Sequence, residues 1–275
     1  MPVISTNNAA NSALNYLNLN SSQETEKISQ LASGSRIVHA SDDAAGLAIG
    51  TQLDANVTVF QEDQVNITQG SSILQSTDGA LAQISNVLQR MMALATEGAS
   101  GQVTDVQRAQ DINTEYHQLG IEIGSIVNST TYAGQALLTG SFLSNVKFLV
   151  GTASTDFITL SLATVSTAGL LGTSGSSVST AAMSLAAINA VNSAIELITK
   201  DRALVGAYES QFNFSGQDIN TNIQNIQAAA SVIMDADVAQ VKAGLSANDV
   251  LTQASIAALT QAAQLPQELL RLLQQ

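Results

Sequence analysis

The sequence predicts a mainly α protein: a long antiparallel coiled-coil-like helical bundle from the N- and C-terminal halves, with a small central β-hairpin insertion. Apolar residues recur seven apart at Leu53, Phe60, Ile67, Leu74, Leu81 and Leu88. A period near 3.5 residues held this long belongs to helices packed along a seam. Val191, Ile198, Val205, Phe212, Ile219 and Ile226 form a second such series near the other end. Between the two series lie short β-rich runs joined by a polar turn.

The elements follow in order. A first helix is expected from about Ile4 to Leu31 and stops at Gly34. Asp42 and Asp43 then precede a helix opening at Ala44, where a carboxylate can accept free amide hydrogens. Along that helix Val57, Ile84 and Met91 partly fill a companion seam, and Gln64, Ser71 and Asp78 interrupt it. Gly98 and Gly101 end it, and Thr104 with Gln107 reads as a capping box for the next. There Ile112, Leu119 and Ile126 share one seam, Tyr116 and Ile123 the other. The runs Val146–Val150 and Phe157–Leu162 alternate as a hairpin, and Leu170–Ser177 reads as a Gly/Ser loop. A last helix is expected to start at Ser246, after Gly244. The organisation is therefore paired terminal helices at 1–33 and 246–275, linkers at 34–43 and 235–245, a bundle at 44–130 and 182–234, and hairpin plus loop at 131–181.

The charge pattern narrows the function. The 275 residues carry 9 Lys and Arg against 22 Asp and Glu, a net charge of −13. So acidic a chain is no nucleic-acid binder, since phosphate affinity needs clustered cations. Only 11% of residues are charged, against roughly 25% in ordinary domains. The first 23 residues hold no charge, and between Ala243 and Gln267 only Asp249 does. From there to the C-terminus Leu251, Ala254, Ala258, Ala262, Leu265, Leu269 and Leu272 form an apolar stripe, and its leucines with Leu259, Leu14 and Leu17 are the expected core-assembly residues. The face opposite is amide and hydroxyl, where a solvated helix would carry charges. Such ends are expected to pair and then meet further copies of themselves.

Catalysis finds no support. With no Cys there is no disulfide, thiolate metal site or Cys nucleophile. The two histidines, His39 and His117, are far apart, and no His-Glu-x-x-His, Gly-x-Ser-x-Gly or P-loop occurs. The acidic pairs Asp42–Asp43 and Asp235–Asp237 read as helix caps or solvated turns. No catalytic residue, cofactor or metal is expected. Neither a secretory signal nor a continuous apolar run of about 18 residues is evident, so membrane insertion is not expected.

Two motifs at opposite ends resemble bacterial flagellin. Leu31-Ala-Ser-Gly-Ser-Arg-Ile37 and Asp42-Asp-Ala-Ala-Gly-Leu-Ala-Ile49 match the family's N-terminal signature. Ile233-Met-Asp-Ala-Asp-Val-Ala239 and Leu259-Thr-Gln-Ala-Ala-Gln-Leu-Pro-Gln267 match its C-terminal one. Asn128–Leu138 and Arg202–Tyr208 are similar to further family segments. The departures are Ser35, Val38, Ser41 and Val232, where the family has Leu, Asn, Lys and Arg. The lost cations leave hydrogen bonds or apolar packing to hold that region.

The resemblance implies a minimal flagellin, a structural subunit that self-assembles as a helical homopolymer into the extracellular flagellar filament for motility. It implies export unfolded by the flagellar type III system, and terminal helices lining a channel in the filament core. Export chaperone, cap and hook-associated proteins would be its partners. It also implies that Arg90, Leu94 and Glu115 stand where the innate Toll-like receptor for flagellin reads the family; simple surface pairing of the two charges is the alternative. A hook–filament junction protein is the competing function, a secreted glycan-binding surface protein a more distant one. The Ser/Thr-rich residues 152–180 are candidates for O-linked glycans.

Overall fold

The computed structural model describes residues 7–139, 142–172, 175 and 177–273; the side chains of Leu265 and of 267–273 lie outside the described set. The helices are α1 (Asn8–Ser33), α2 (Ala44–Ala99), α3 (Asp105–Gln107), α4 (Asn113–Ser129), α5 (Thr167–Leu171), α6 (Ala181–Met234) and α7 (Val238–Leu273). The strands are β1 (Thr131–Tyr132), β2 (Gln135–Ala136), β3 (Val146–Leu149) and β4 (Phe157–Leu160). The chain divides into two compact units, residues 58–224 and residues 1–57 with 225–275.

In the first unit α2 and α6 run antiparallel. The side chain of Arg202 donates to Asp78, 2.8 Å away, and the Phe212 ring fills the space beside Gly70, where a Cβ would meet it at 2.7 Å. Leu74, Leu81, Leu88, Val191, Ile198, Val205 and Phe212 are essentially out of water. Phe60 is half-buried and packs against this core, with Ile67 and Ile219 inside it. The companion column on α2 is not the one that apolar residues suggest. It is Asp63, Gly70, Thr77, Ile84, Met91 and Gly98, all buried, while Gln64, Ser71 and Asp78 are half-buried at its edge. An acid, a glycine and a hydroxyl hide this column from a search for apolar residues. Thr77 is accommodated because its hydroxyl donates to Ile73 O, one turn back.

The turn from α2 into α4 holds the capping box of Thr104 and Gln107, then a π-helical turn, Arg108–Ile112. Arg108 is 4% exposed. Its guanidinium donates to the carbonyls of Gly98, Ser100 and Val103 and pairs with Asp105. A buried cation requires such full satisfaction. Ile112 at the end of this turn and Tyr116, Ile123 and Val127 on α4 are buried, and Leu119 and Ile126 are half-buried.

Two antiparallel hairpins follow. β1 and β2 close through Ala133 and Gly134, both at positive φ, the handedness of a two-residue I′ turn. β3 and β4 pair Val146 with Leu160 and Leu149 with Phe157. Residues 170–177 are not wholly loop: Leu170 and Leu171 belong to α5 and are buried, with Ser166 capping it through Gly169 N–H. Two leucines supply the apolar contact that a Gly/Ser reading overlooks. α6 contains an 18-residue window of mean hydropathy 1.4, long and apolar enough by composition to cross a membrane. The window is no continuous apolar run, since Asn189, Asn192, Ser193 and Glu196 interrupt it, and Val191, Ala194 and Ile198 are buried against the chain itself.

Candidate self-assembly surface

The second unit is built on α1 and α7, which pair with each other. Asn7 caps α1 by accepting from Ala10 N–H, and the helix ends at Gly34, whose φ of 71° is the left-handed conformation glycine adopts without strain. Asp237 caps α7 by accepting from the amides of Ala239 and Gln240. The helix then continues unbroken through Gly244 and Ser246, so the expected start at Ser246 is displaced by eight residues. A mid-helix glycine costs only about 1 kcal/mol, and the aliphatic stem of Lys27 lies against Gly244.

Polar groups make much of the contact between α1 and α7. Asn20 Nδ2 donates to Ser255 Oγ at 3.1 Å, and Thr252 Oγ1 to Glu24 Oε2 at 3.3 Å. Asn20, Gln30 and Asn248 are buried. Asn7 Nδ2 donates to the carbonyl of Ala262 at 2.6 Å. That carbonyl lies one turn before Pro266, which is inside α7 and has no N–H to give it. The asparagine therefore supplies the hydrogen bond that the proline removes.

Beneath the pair the chain is fastened where the two halves meet. Ser35 bridges Asp235, and its hydroxyl lies 2.9 Å from the carbonyls of both Ile37 and Met234. Arg36 Nε and a terminal nitrogen both donate to Ile233 O, and the guanidinium stands 3.6 Å from Asp43. Asp43 caps α2 through Gly46 N–H, and Ile37 is buried. Asp42 is held below the usual carboxylate range, first by the His39 amide donating to it, then by that of Val38. The hydroxyls of Ser35 and Ser41 and the Val38 amide all take part in the hydrogen bonds that hold this segment.

The expected assembly leucines are only partly covered. Leu14 is 43% and Leu251 49% exposed, while Leu17 and Leu259 are half-buried. Leu265, Leu269 and Leu272 lie on α7, their side chains outside the described residues. Tyr16, Leu19, Ile28, Val250 and Ile256 are also exposed. The pair leaves a large apolar area uncovered, which marks an interaction surface. Sequence reasoning missed Asn7, Asn20 and Asn248 as contact residues; the lack of charge in both segments was the available signal.

In the first unit, Arg90 and Glu115 form an ion pair at 2.6 Å across α2 and α4, both exposed. Leu94 is 2% exposed and part of the core, so an external partner reaches the two charges but not this leucine. The seam residues Leu53 and Ile226 are half-buried. Among the described residues, no group of three or more His, Cys, Asp or Glu is placed to hold a metal.

Comparison with known proteins gives one consistent result. The bacterial flagellin N-terminal helical region matches residues 4–142, and the C-terminal helical region matches 188–273. A flagellar filament 30.7 kDa core protein of Treponema maltophilum is 33% identical over 98% of this chain and 99% of its own. The flagellin of Halalkalibacterium halodurans is 31% identical over the same shares. A crystal structure of Bacillus cereus flagellin, 27% identical, superimposes with a TM-score of 0.51 over 60% of this chain and 94% of that one. A putative hook-associated protein from Vibrio parahaemolyticus shares the fold, with a TM-score of 0.57 at 15% identity over 70% of this chain and 99% of that one. With both helical regions matched and full-length relatives above 30% identity, the chain belongs to the bacterial flagellin family.

Proposed function

We propose that this chain is the structural subunit that self-assembles into the extracellular filament of the bacterial flagellum. The observation that carries this reading is the α1–α7 pair. It buries amides, satisfies them internally and leaves Leu14, Tyr16, Leu19, Val250 and Leu251 exposed. Such a surface suits burial against further copies, because desolvating uncharged side chains costs far less than desolvating charges. Head-to-tail repetition of one contact then produces an open helical polymer. The termini order as the subunit docks, neighbours supplying the burial that the pair lacks alone. Export through the flagellar type III system, a dedicated chaperone, and cap and hook-associated partners complete this reading. Family membership and full-length similarity to flagellins support the filament role over that of a hook–filament junction protein.

The test is negative-stain electron microscopy of purified monomer after addition of a precipitant salt. Long uniform tubes are expected. Persistent monomers or short capped oligomers would overturn the reading in favour of a junction protein. Two features add to it. The exposed Arg90–Glu115 pair offers an innate receptor a charged contact, and a charge-reversal variant at both positions should lose receptor activation while still polymerising. The Ser/Thr-rich segment 152–180 offers hydroxyls for O-linked glycans, and an intact mass equal to that of the bare sequence would refute their presence.

A further inference from the structure

Asp63 lies in the buried companion column of α2 and is 1% exposed, and its Oδ2 has no hydrogen-bond partner. No cation stands near it in sequence. From Ala44 to Gln89, and again from Ala203 to Val241, there is no Lys, Arg or His. Every charged residue in them is an acid: Asp54, Glu62, Asp63 and Asp78 in the first, Glu209, Asp218, Asp235 and Asp237 in the second.

The β3–β4 hairpin extends toward this carboxyl. Its Ser161 N–H donates to Tyr208 Oη at 3.3 Å. Further along α6, Phe148 meets Phe212 edge-on at 5.4 Å. The tip, residues 151–156, therefore points toward Gly216, which faces Gln64 of α2. At that tip Asp156 is fixed by its own turn: its carboxylate accepts from Ala153 N–H and its carbonyl from Val150 N–H. The hairpin's cation, Lys147, sits over the Phe157 ring.

We propose that Asp63 is a proton-linked latch: the β3–β4 hairpin seats fully on the bundle when this carboxyl is protonated and loosens when it ionises. An unpaired buried carboxylate is costly, and the residues around it make it costlier. Burial raises the affinity of Asp63 for its proton, and the negative charges of Glu62 and then Asp156 raise it further. An acid whose folded pKa is raised favours the folded arrangement at low pH. That contribution is lost as pH climbs from the ordinary aspartate value of 3.8 through the raised one. Because its own turn holds Asp156 in place on the tip, repulsion from the ionised carboxylate acts on the seating of the hairpin as a whole.

The experiment is hydrogen exchange of the full-length monomer at a series of pH values from 4 to 8, with Asp63→Asn carried through the same series to remove the intrinsic pH dependence of exchange. In the wild type, protection of residues 146–160 should fall by up to about tenfold for each unit by which the pKa is raised, and in Asp63→Asn it should stay level. Equal behaviour of the two proteins would overturn the proposal. Should the variant fold poorly, carboxyl-carbon NMR of the wild type decides. A midpoint for Asp63 above 3.8, shared with the hairpin amides, supports the latch; titration at the ordinary value refutes it.

Discussion

In the bundle unit Leu74, Leu81, Leu88, Ile84 and Met91 are almost wholly out of water, whereas in the unit of α1 and α7 the buried apolar side chains among the described residues are Ile37, Val57, Ala230, Val241 and Ala262. Leu14, Leu19 and Leu251 are left partly outside while Asn20 and Asn248 go in. Both units are made of long helices from opposite ends of the chain, so secondary structure does not separate them. What separates them is where the apolar surface faces. The bundle buries it within one molecule, and the terminal pair holds it available for another. Part of a protein can thus be kept short of a complete core, provided that its partners supply the rest.

Removing one unit should break this contrast most severely. Deleting Leu251–Gln275 is expected to abolish tube formation outright in electron micrographs, while thermal unfolding still reports a folded bundle. Filaments from that truncation would refute the division of labour. Next in size is Leu88→Ala, which opens a cavity at a 0% exposed position and should cost about 3 kcal/mol in chemical denaturation. Tyr116 comes close behind. Its hydroxyl donates to Gly175 O at 2.7 Å, and burial pushes its pKa up to about 12 from the ordinary 10. An acid with a raised folded pKa loses stability as pH rises, here between about 10 and 12 and by roughly 2–3 kcal/mol. Tyr116→Phe should flatten that loss.

Smaller effects fall on the terminal pair. Asn7→Ala leaves the Ala262 carbonyl without the donor that substitutes for Pro266, and should cost about 1 kcal/mol. Its readout is hydrogen exchange in the last turns of α7, and Pro266→Ala introduced together with it should restore protection. Leu14→Ala should change monomer stability by less than about 0.5 kcal/mol. It should nevertheless raise the critical concentration for polymerisation severalfold, measured by sedimentation of the polymer. The comparison fails if Leu14→Ala and Leu88→Ala have equal effects on the monomer.

Much of this was legible in the residues. The seven-residue series, the caps at Asp43 and Thr104 and the hairpin all rest on local chemistry that spacing exposes. The misreadings have physical causes. Ile84 and Met91 were placed in the companion column on α2, but its earlier positions were set one residue off because Asp63, Gly70 and Thr77 are not apolar; a glycine was there to admit the Phe212 ring. The start of α7 was placed at Ser246 because a glycine and a serine look like a boundary, yet Asp237 had already satisfied the free amides. Arg108 drew no notice because a single arginine in a polar turn has no pattern; its value lies in three carbonyls that only the fold brings together. Leu94 looked like part of a contact face by position, and its helical phase turns it inward.

The hydroxyls of the terminal helices have a consequence of their own. Ser22, Thr25 and Ser29 on α1 and Ser255 on α7 each donate to the carbonyl four residues earlier. In an extended chain those hydroxyls have no such carbonyl within reach and bind water. Once the helix winds, they turn back onto their own backbone and their demand for solvent drops. One composition thus has two solubilities, wetted as a thread and willing to dry as a rod, with the conformation itself choosing between them.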